Sequence, residues 1–228
     1  MLLTKHFGLL HVPRTGGRFL NEICEKHLPE EWMPENPGWH VPYTEIAPRL
    51  GDIPLLCFVR NPWDWYVSFY HYNRKEMGRR PESWAWKALF DEGKSDFKQT
   101  VTRVLWSGRL EEPSGPGPRW YREFNASDLD LYSWWHQLVA GQAIEEGRAD
   151  VGRFESLTQD FLAFLDRHDI PVGEAFKQLV STAAPTNVSA RGRYEDYYDD
   201  ELRELVGSRV SRLIEDFGYS FETPARAT

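Results

Sequence analysis

Near the start of the chain, Phe7, Leu9, Leu10 and Val12 form a short apolar run that stops at Pro13. After Arg14-Thr15-Gly16-Gly17, the positions Phe19, Leu20, Ile23, His27 and Leu28 recur at helical spacing. The pattern predicts a strand, a glycine turn and the start of a helix. Residues 43–50 read as a short helix. Residues 53–59, IPLLCFV, are continuously apolar, as expected of a strand buried on both faces of a parallel sheet. Two such strands with a helix between them make a right-handed βαβ unit. The second strand runs directly into Arg60-Asn61-Pro62, with Pro62 where a helix accepts its first residue. An aromatic-rich helix is expected from there to about Lys75.

Further along, residues 76–95 are charged and contain Trp, and 95–106 read as a helix. The segment 108–118 (GRLEEPSGPGP) is a turn-rich insertion expected to be mobile. A helix is predicted over 129–142, a last core strand over 151–154, and a helix over 155–166 with Leu157, Phe161, Phe164 and Leu165 on one side. Residues 183–194 follow neither period and hold Asn187, Ser189, Arg191 and Arg193, a polar, basic loop that could clamp a ligand. A final helix is expected from an Asp199 N-cap to Phe217, ended by Gly218. The pattern as a whole predicts one α/β domain over 1–228, a central parallel sheet flanked by helices.

A chain of 228 residues can build one well-buried core. Its 41% hydrophobic and 27% charged residues describe a soluble globular protein, with an unusually large supply of ten Trp. The net charge of −8 argues against a broad nucleic-acid face or attraction to anionic lipid, so a polyanionic ligand needs a local cluster of Arg and backbone dipoles. Cys24 and Cys57 fall in apolar patterns and read as buried thiols rather than a disulfide framework. No membrane span and no leader pattern are read, and the expected location is cytoplasmic. The seven His residues show no metal-ligand spacing, so no metal is expected.

The early turn carries the first candidate chemistry. Its two glycines let an anion approach the backbone, and the following helix offers unpaired N–H groups at its positive end. Arg14 and Arg18 bracket the turn, and the guanidinium fork suits phosphate oxygens. The turn is not a Walker A loop, because Gly17 is followed by Arg18 and Phe19 rather than by Lys and a hydroxyl residue. A second polar group, Arg60 with Ser68, stands at the carboxyl end of the second apolar strand, where open α/β sheets bind ligands. The loop Gly38-Trp39-His40-Val41-Pro42-Tyr43 supplies a histidine able to accept a proton near neutral pH, with His11 and His71 as rivals.

Taken together, the stretches HVPRTGGRFL, FVRNPWDWYVSFYHY, VGRFESL, NVSARGRYEDYYDDELRELV and IEDFGYSF resemble the PAPS-dependent sulfotransferases. Within them the resemblance points to the branch of bacterial carbohydrate sulfotransferase-like proteins and heparan sulfate 2-O-sulfotransferase. It implies a P-loop-NTPase-like architecture and a sulfuryl donor, 3′-phosphoadenosine 5′-phosphosulfate (PAPS). Arg14, Thr15, Gly16, Gly17, Arg18 and Phe19 would hold the 5′-phosphosulfate, Arg60 and Ser68 the 3′-phosphate, and Arg191 or Arg193 would close over the bound molecule. HVPYTEIAP looks like the family segment bearing the catalytic histidine, which makes His40 the base and Arg14 its catalytic partner. The acceptor would be a hydroxyl of a carbohydrate or other small molecule, with no metal and no nucleic acid involved. The family commonly has Lys where Arg14 stands, and small hydroxyl residues where Arg18 and Phe19 stand. Two other readings are a P-loop-like nucleotide kinase and a non-catalytic nucleotide- or glycan-binding protein on the same fold.

Overall fold

A computed structural model describes residues 1–32, 35–108, 118–184 and 191–222. Most of the 108–118 insertion, and Asn187 and Ser189 of the basic loop, lie outside them. The described residues gather into two compact units, one from 1–60 with 135–184 and one from 61–134 with 191–222.

The first unit is built on a four-stranded sheet in the order β1-β2-β3-β4, with β1 at Leu2–Leu3, β2 at Gly8–Leu10, β3 at Leu55–Val59 and β4 at Ala149–Arg153. β2, β3 and β4 are parallel, with Leu9 opposite Leu56 and Cys57 opposite Val151; the apolar runs predict the first two, and the last strand, expected over 151–154, begins two residues earlier and ends one earlier. β1 pairs antiparallel with β2, which makes the sheet mixed rather than wholly parallel. A two-residue edge strand is too short to write an alternating pattern into the sequence.

Helix α1, Gly17–His27, turns Phe19, Leu20, Ile23 and Cys24 into a core shared with Phe7, Leu9, Leu56 and Phe58 and with the Leu157–Arg167 helix. From that last helix Phe161 and Phe164 meet Phe7 at ring separations of 5.9 and 6.1 Å. Each such buried side chain contributes about 1.5–3 kcal/mol of transfer free energy. Gly152 of β4 is required here, because a Cβ at that position would stand 2.6 Å from the Phe58 ring. Cys24 and Cys57 are free and buried.

The second unit is led by the Pro62–Gly78 helix, three residues longer than its pattern predicts. Asn61 caps it, its side-chain oxygen accepting from the backbone N–H of Trp63 at 3.0 Å and of Asp64 at 3.4 Å. Every residue from Pro62 to Tyr70 is buried, so this half of the helix is enclosed on all sides. The Phe97–Val104 helix begins with a capping box between Asp96 and Gln99. Helices at Arg119–Asn125 and Glu174–Thr182 add to the elements that the sequence pattern predicts.

Two expected helices are interrupted. The 129–142 segment holds a helical stretch at Leu131–His136, a π turn over Gln137–Gly141 and a further turn to Glu145. The last helix starts at the Asp199 cap but divides into Asp200–Arg209 and Ser211–Phe217 at the buried Val210, whose φ of −103° and ψ of 16° leave the helical range. Among the described residues no helix is long and apolar enough to cross a membrane.

Candidate active site

In the first unit, the chain leaves β2 through His11 and Val12 and enters a turn with two left-handed residues, Arg14 at φ 65° and Gly16 at φ 86°. Between them Thr15, 1% exposed, donates its hydroxyl hydrogen to the Val12 carbonyl at 2.8 Å. Both glycines are needed for packing as well as for access to the backbone. A Cβ on Gly16 would meet Leu157 at 2.7 Å, and one on Gly17 would lie 2.4 Å from the His11 ring. Gly16 is the N-cap of α1 and contributes no side-chain cap, and the first turn of α1 has no acidic residue. The turn therefore keeps the features of an anion cradle: alternating left-handed backbone and the positive end of a helix of eleven residues.

The two outer residues of the predicted cradle are placed differently from the rest. The Phe19 side chain is 4% exposed and belongs to the hydrophobic core, so only its backbone N–H faces the cap, bonded to the Gly16 carbonyl at 3.0 Å. Arg18 lies on the exposed face of α1, ion-paired with Glu22 at 2.8 Å and 5.9 Å from the Trp39 ring.

Arg60 is brought to the turn. It is 5% exposed, its Nη1 donates to the Arg14 carbonyl at 2.8 Å, and its guanidinium lies 3.9 Å over the Phe154 ring. The two arginines that sequence spacing separates by 46 residues are thus joined through the backbone of the turn.

His40 reaches the same region. Its Nδ1 is 3.0 Å from the His11 carbonyl oxygen. A carbonyl only accepts, so this bond requires Nδ1–H and leaves the lone pair on Nε2. Burial lowers the pKa of His40, opposed in part by that hydrogen bond. The ring is neutral at pH 7 and able to take a proton. His11, its rival, is pushed further down, by burial first and then by His40, and its ring is wedged against Gly17. Trp135 stands 5.3 Å from His40 and Trp39 5.6 Å from His11. Trp39, at 47%, is the one large apolar side chain exposed among the described residues.

The second unit holds the remaining candidates. Ser68 is 2% exposed on the Pro62–Gly78 helix. Arg191 pairs with the buried carboxylate of Asp64 on the same helix, whereas Arg193 is exposed and bonded to Glu195 at 3.0 Å. Asp64 is not among the residues singled out by motif, although an acidic residue in the first turn of a helix, inside the Arg60–Ser68 interval, is a visible signal. His71 packs edge-on against Tyr197 at 5.1 Å. Among the described residues no group of three His, Cys, Asp or Glu side chains is placed to hold a metal.

No family model matches the chain. No curated protein matches it either. Solved structures do, among them the crystal structure of mouse sulfotransferase SULT7A1 complexed with PAP. That match covers 93% of this chain and 88% of the mouse chain at a TM-score of 0.51 and 14% identity. At this identity the likeness shows the fold alone, an α/β architecture shared with that structure.

Proposed function

We propose that the protein transfers a sulfuryl group from PAPS to the hydroxyl of a carbohydrate or other small acceptor, in the cytoplasm. The observation that carries this reading is the joint placement of the Arg60-braced turn and of His40 against the same residue, His11. The turn from Arg14 to Gly17, with the N–H groups opening α1, would take the 5′-phosphosulfate, and Arg60 with Ser68 the 3′-phosphate. The acceptor oxygen attacks sulfur as its proton passes to His40 Nε2, and the sulfur–oxygen bond to the nucleotide phosphate breaks. Charge that develops on that leaving phosphate is met by Arg14 and the helix N–H groups. Trp39 and Trp135, flanking the histidines, are suited to stack against the acceptor. PAP is the ligand of the fold neighbour, which supports the choice of donor. The kinase reading is weaker, because the turn lacks a Walker lysine and a magnesium-holding hydroxyl after it.

The test compares thermal melting with PAP and with ATP plus magnesium. PAP at about 100 times its dissociation constant should add about 2.7 kcal/mol. For a chain of this length that raises the melting temperature by roughly 5 to 10 °C. An equal or larger rise with ATP would favour phosphoryl chemistry, and no rise with either would leave the turn without its ligand.

A further inference from the structure

The pair of buried Asp64 and partly buried Arg191 has no part in the proposed transfer step, and the role assigned to it below rests on PAPS being the donor. Asp64 is 1% exposed in the first turn of the Pro62–Gly78 helix, and its carboxylate accepts from Arg191 Nη2. Asp64, Ser68 and His71 recur at i, i+4 and i+7, so they share one face of that helix. Arg191 is therefore fixed on the Ser68 face, one turn before the hydroxyl. Its positive charge also bears on His71, whose pKa is lowered by burial first and then by Arg191 and Arg74.

The two edges of the Arg191 fork are in different states. Nη2 is taken by Asp64, while Nη1 is buried with no hydrogen-bond partner among the described residues. A buried guanidinium N–H without an acceptor is costly, and a planar fork held at one edge presents the other in a set direction. Arg193 offers no such arrangement, its side chain being 78% exposed and engaged with Glu195.

We propose that Asp64 is a positioning residue, which orients Arg191 so that its open edge receives the 3′-phosphate of the donor beside Ser68. Two effects oppose each other when Asp64 loses its charge. Removing a negative group near a phosphate strengthens the attraction, and releasing Arg191 from its fixed orientation weakens the directed bond. Orientation is the larger effect, because a charge-assisted hydrogen bond weakens steeply once its donor is misaligned.

The experiment is calorimetric titration of PAP and of adenosine 5′-phosphate, which lacks the 3′-phosphate, into wild type, Asp64→Asn, Arg191→Lys and the double variant. Asp64→Asn should weaken PAP on the order of tenfold, the size of one charge-assisted hydrogen bond, and leave adenosine 5′-phosphate within about twofold. Arg191→Lys keeps the charge without the second edge and should lose PAP to the same degree. The double variant should be no weaker than Arg191→Lys alone. Tighter PAP binding by Asp64→Asn, or equal weakening of both nucleotides, overturns the proposal. If Asp64→Asn fails to fold, wild-type PAP affinity in Arg191→Lys overturns it instead. A wild-type protein that does not distinguish the two nucleotides sinks the donor reading itself, and this assignment with it.

Discussion

Removing the Arg60 side chain tests whether this residue braces the turn besides serving a ligand. Arg60→Ala deletes a charged hydrogen bond to the Arg14 carbonyl, 2.8 Å long, and a guanidinium packed 3.9 Å over Phe154. A hydrogen bond from a charged donor is worth about 1.5–3 kcal/mol, and a desolvated cation over an aromatic ring about 1–2 kcal/mol. Relief of the buried charge opposes both, since a guanidinium 5% exposed has lost most of its hydration. The net is a loss of about 2 kcal/mol, which for this length lowers the melting temperature by about 4 to 8 °C. Thermal unfolding of the ligand-free protein, followed by tryptophan fluorescence, measures it, with Arg60→Met as the companion that restores volume without charge or donor. If Arg60→Met recovers wild-type stability, the loss belongs to packing alone. A fall of under 1 °C in Arg60→Ala would refute the brace.

Gly17→Ala should destabilise by about 1–3 kcal/mol, since its Cβ would meet the His11 ring at 2.4 Å, less up to about 1 kcal/mol gained in helix propensity; unchanged urea melts would mean the ring moves freely. His40→Ala should keep PAP binding and lower turnover of a confirmed acceptor by about 10²- to 10⁴-fold. Because burial lowers the His40 pKa, the base stays unprotonated as pH falls to its ordinary value of about 6.5. The acid limb of kcat/KM should therefore lie below that pH, and a limb above it would assign the proton to another group.

Strands β2 and β3 were legible because a strand buried on both faces is an uninterrupted apolar run, and Pro13 and Arg60 mark where each run ends. Nothing comparable marks β1, and the division at Val210 follows from packing rather than from the apolar stripe, which continues across it. The Glu174–Thr182 helix had a usable signal in Phe176 and Val180, spaced by one turn and both buried. Residue types and local spacing singled out Arg14 to Gly17, Arg60 and His40, which the structure brings together through His11 and the Arg14 carbonyl. They did not reveal what each residue touches. Local pattern also misled at Phe19, counted with the cradle by its position after the glycines although its side chain fills the core. The Asp64–Arg191 pair, 127 residues apart, leaves no period in the sequence at all.

Residues 11 and 12, the two that follow β2, connect these separate contacts. The His11 carbonyl fixes the tautomer of His40, the His11 ring fixes how closely Gly17 can approach, and the Val12 carbonyl holds Thr15. Under the proposed function, one strand end therefore sets both the proposed proton acceptor and the proposed anion cradle. In-line transfer depends on their mutual position, and an error of about 1 Å in such a position can cost on the order of 10²-fold. A left-handed backbone at Arg14, costing about 1–2 kcal/mol in a non-glycine residue, is tolerated in this setting because Arg60 holds the Arg14 carbonyl and Thr15 holds the Val12 carbonyl two residues before it. Under the proposed function, the strain sits where the positive side chain has to leave the backbone beside the phosphate turn, at a position that glycine would occupy with less strain.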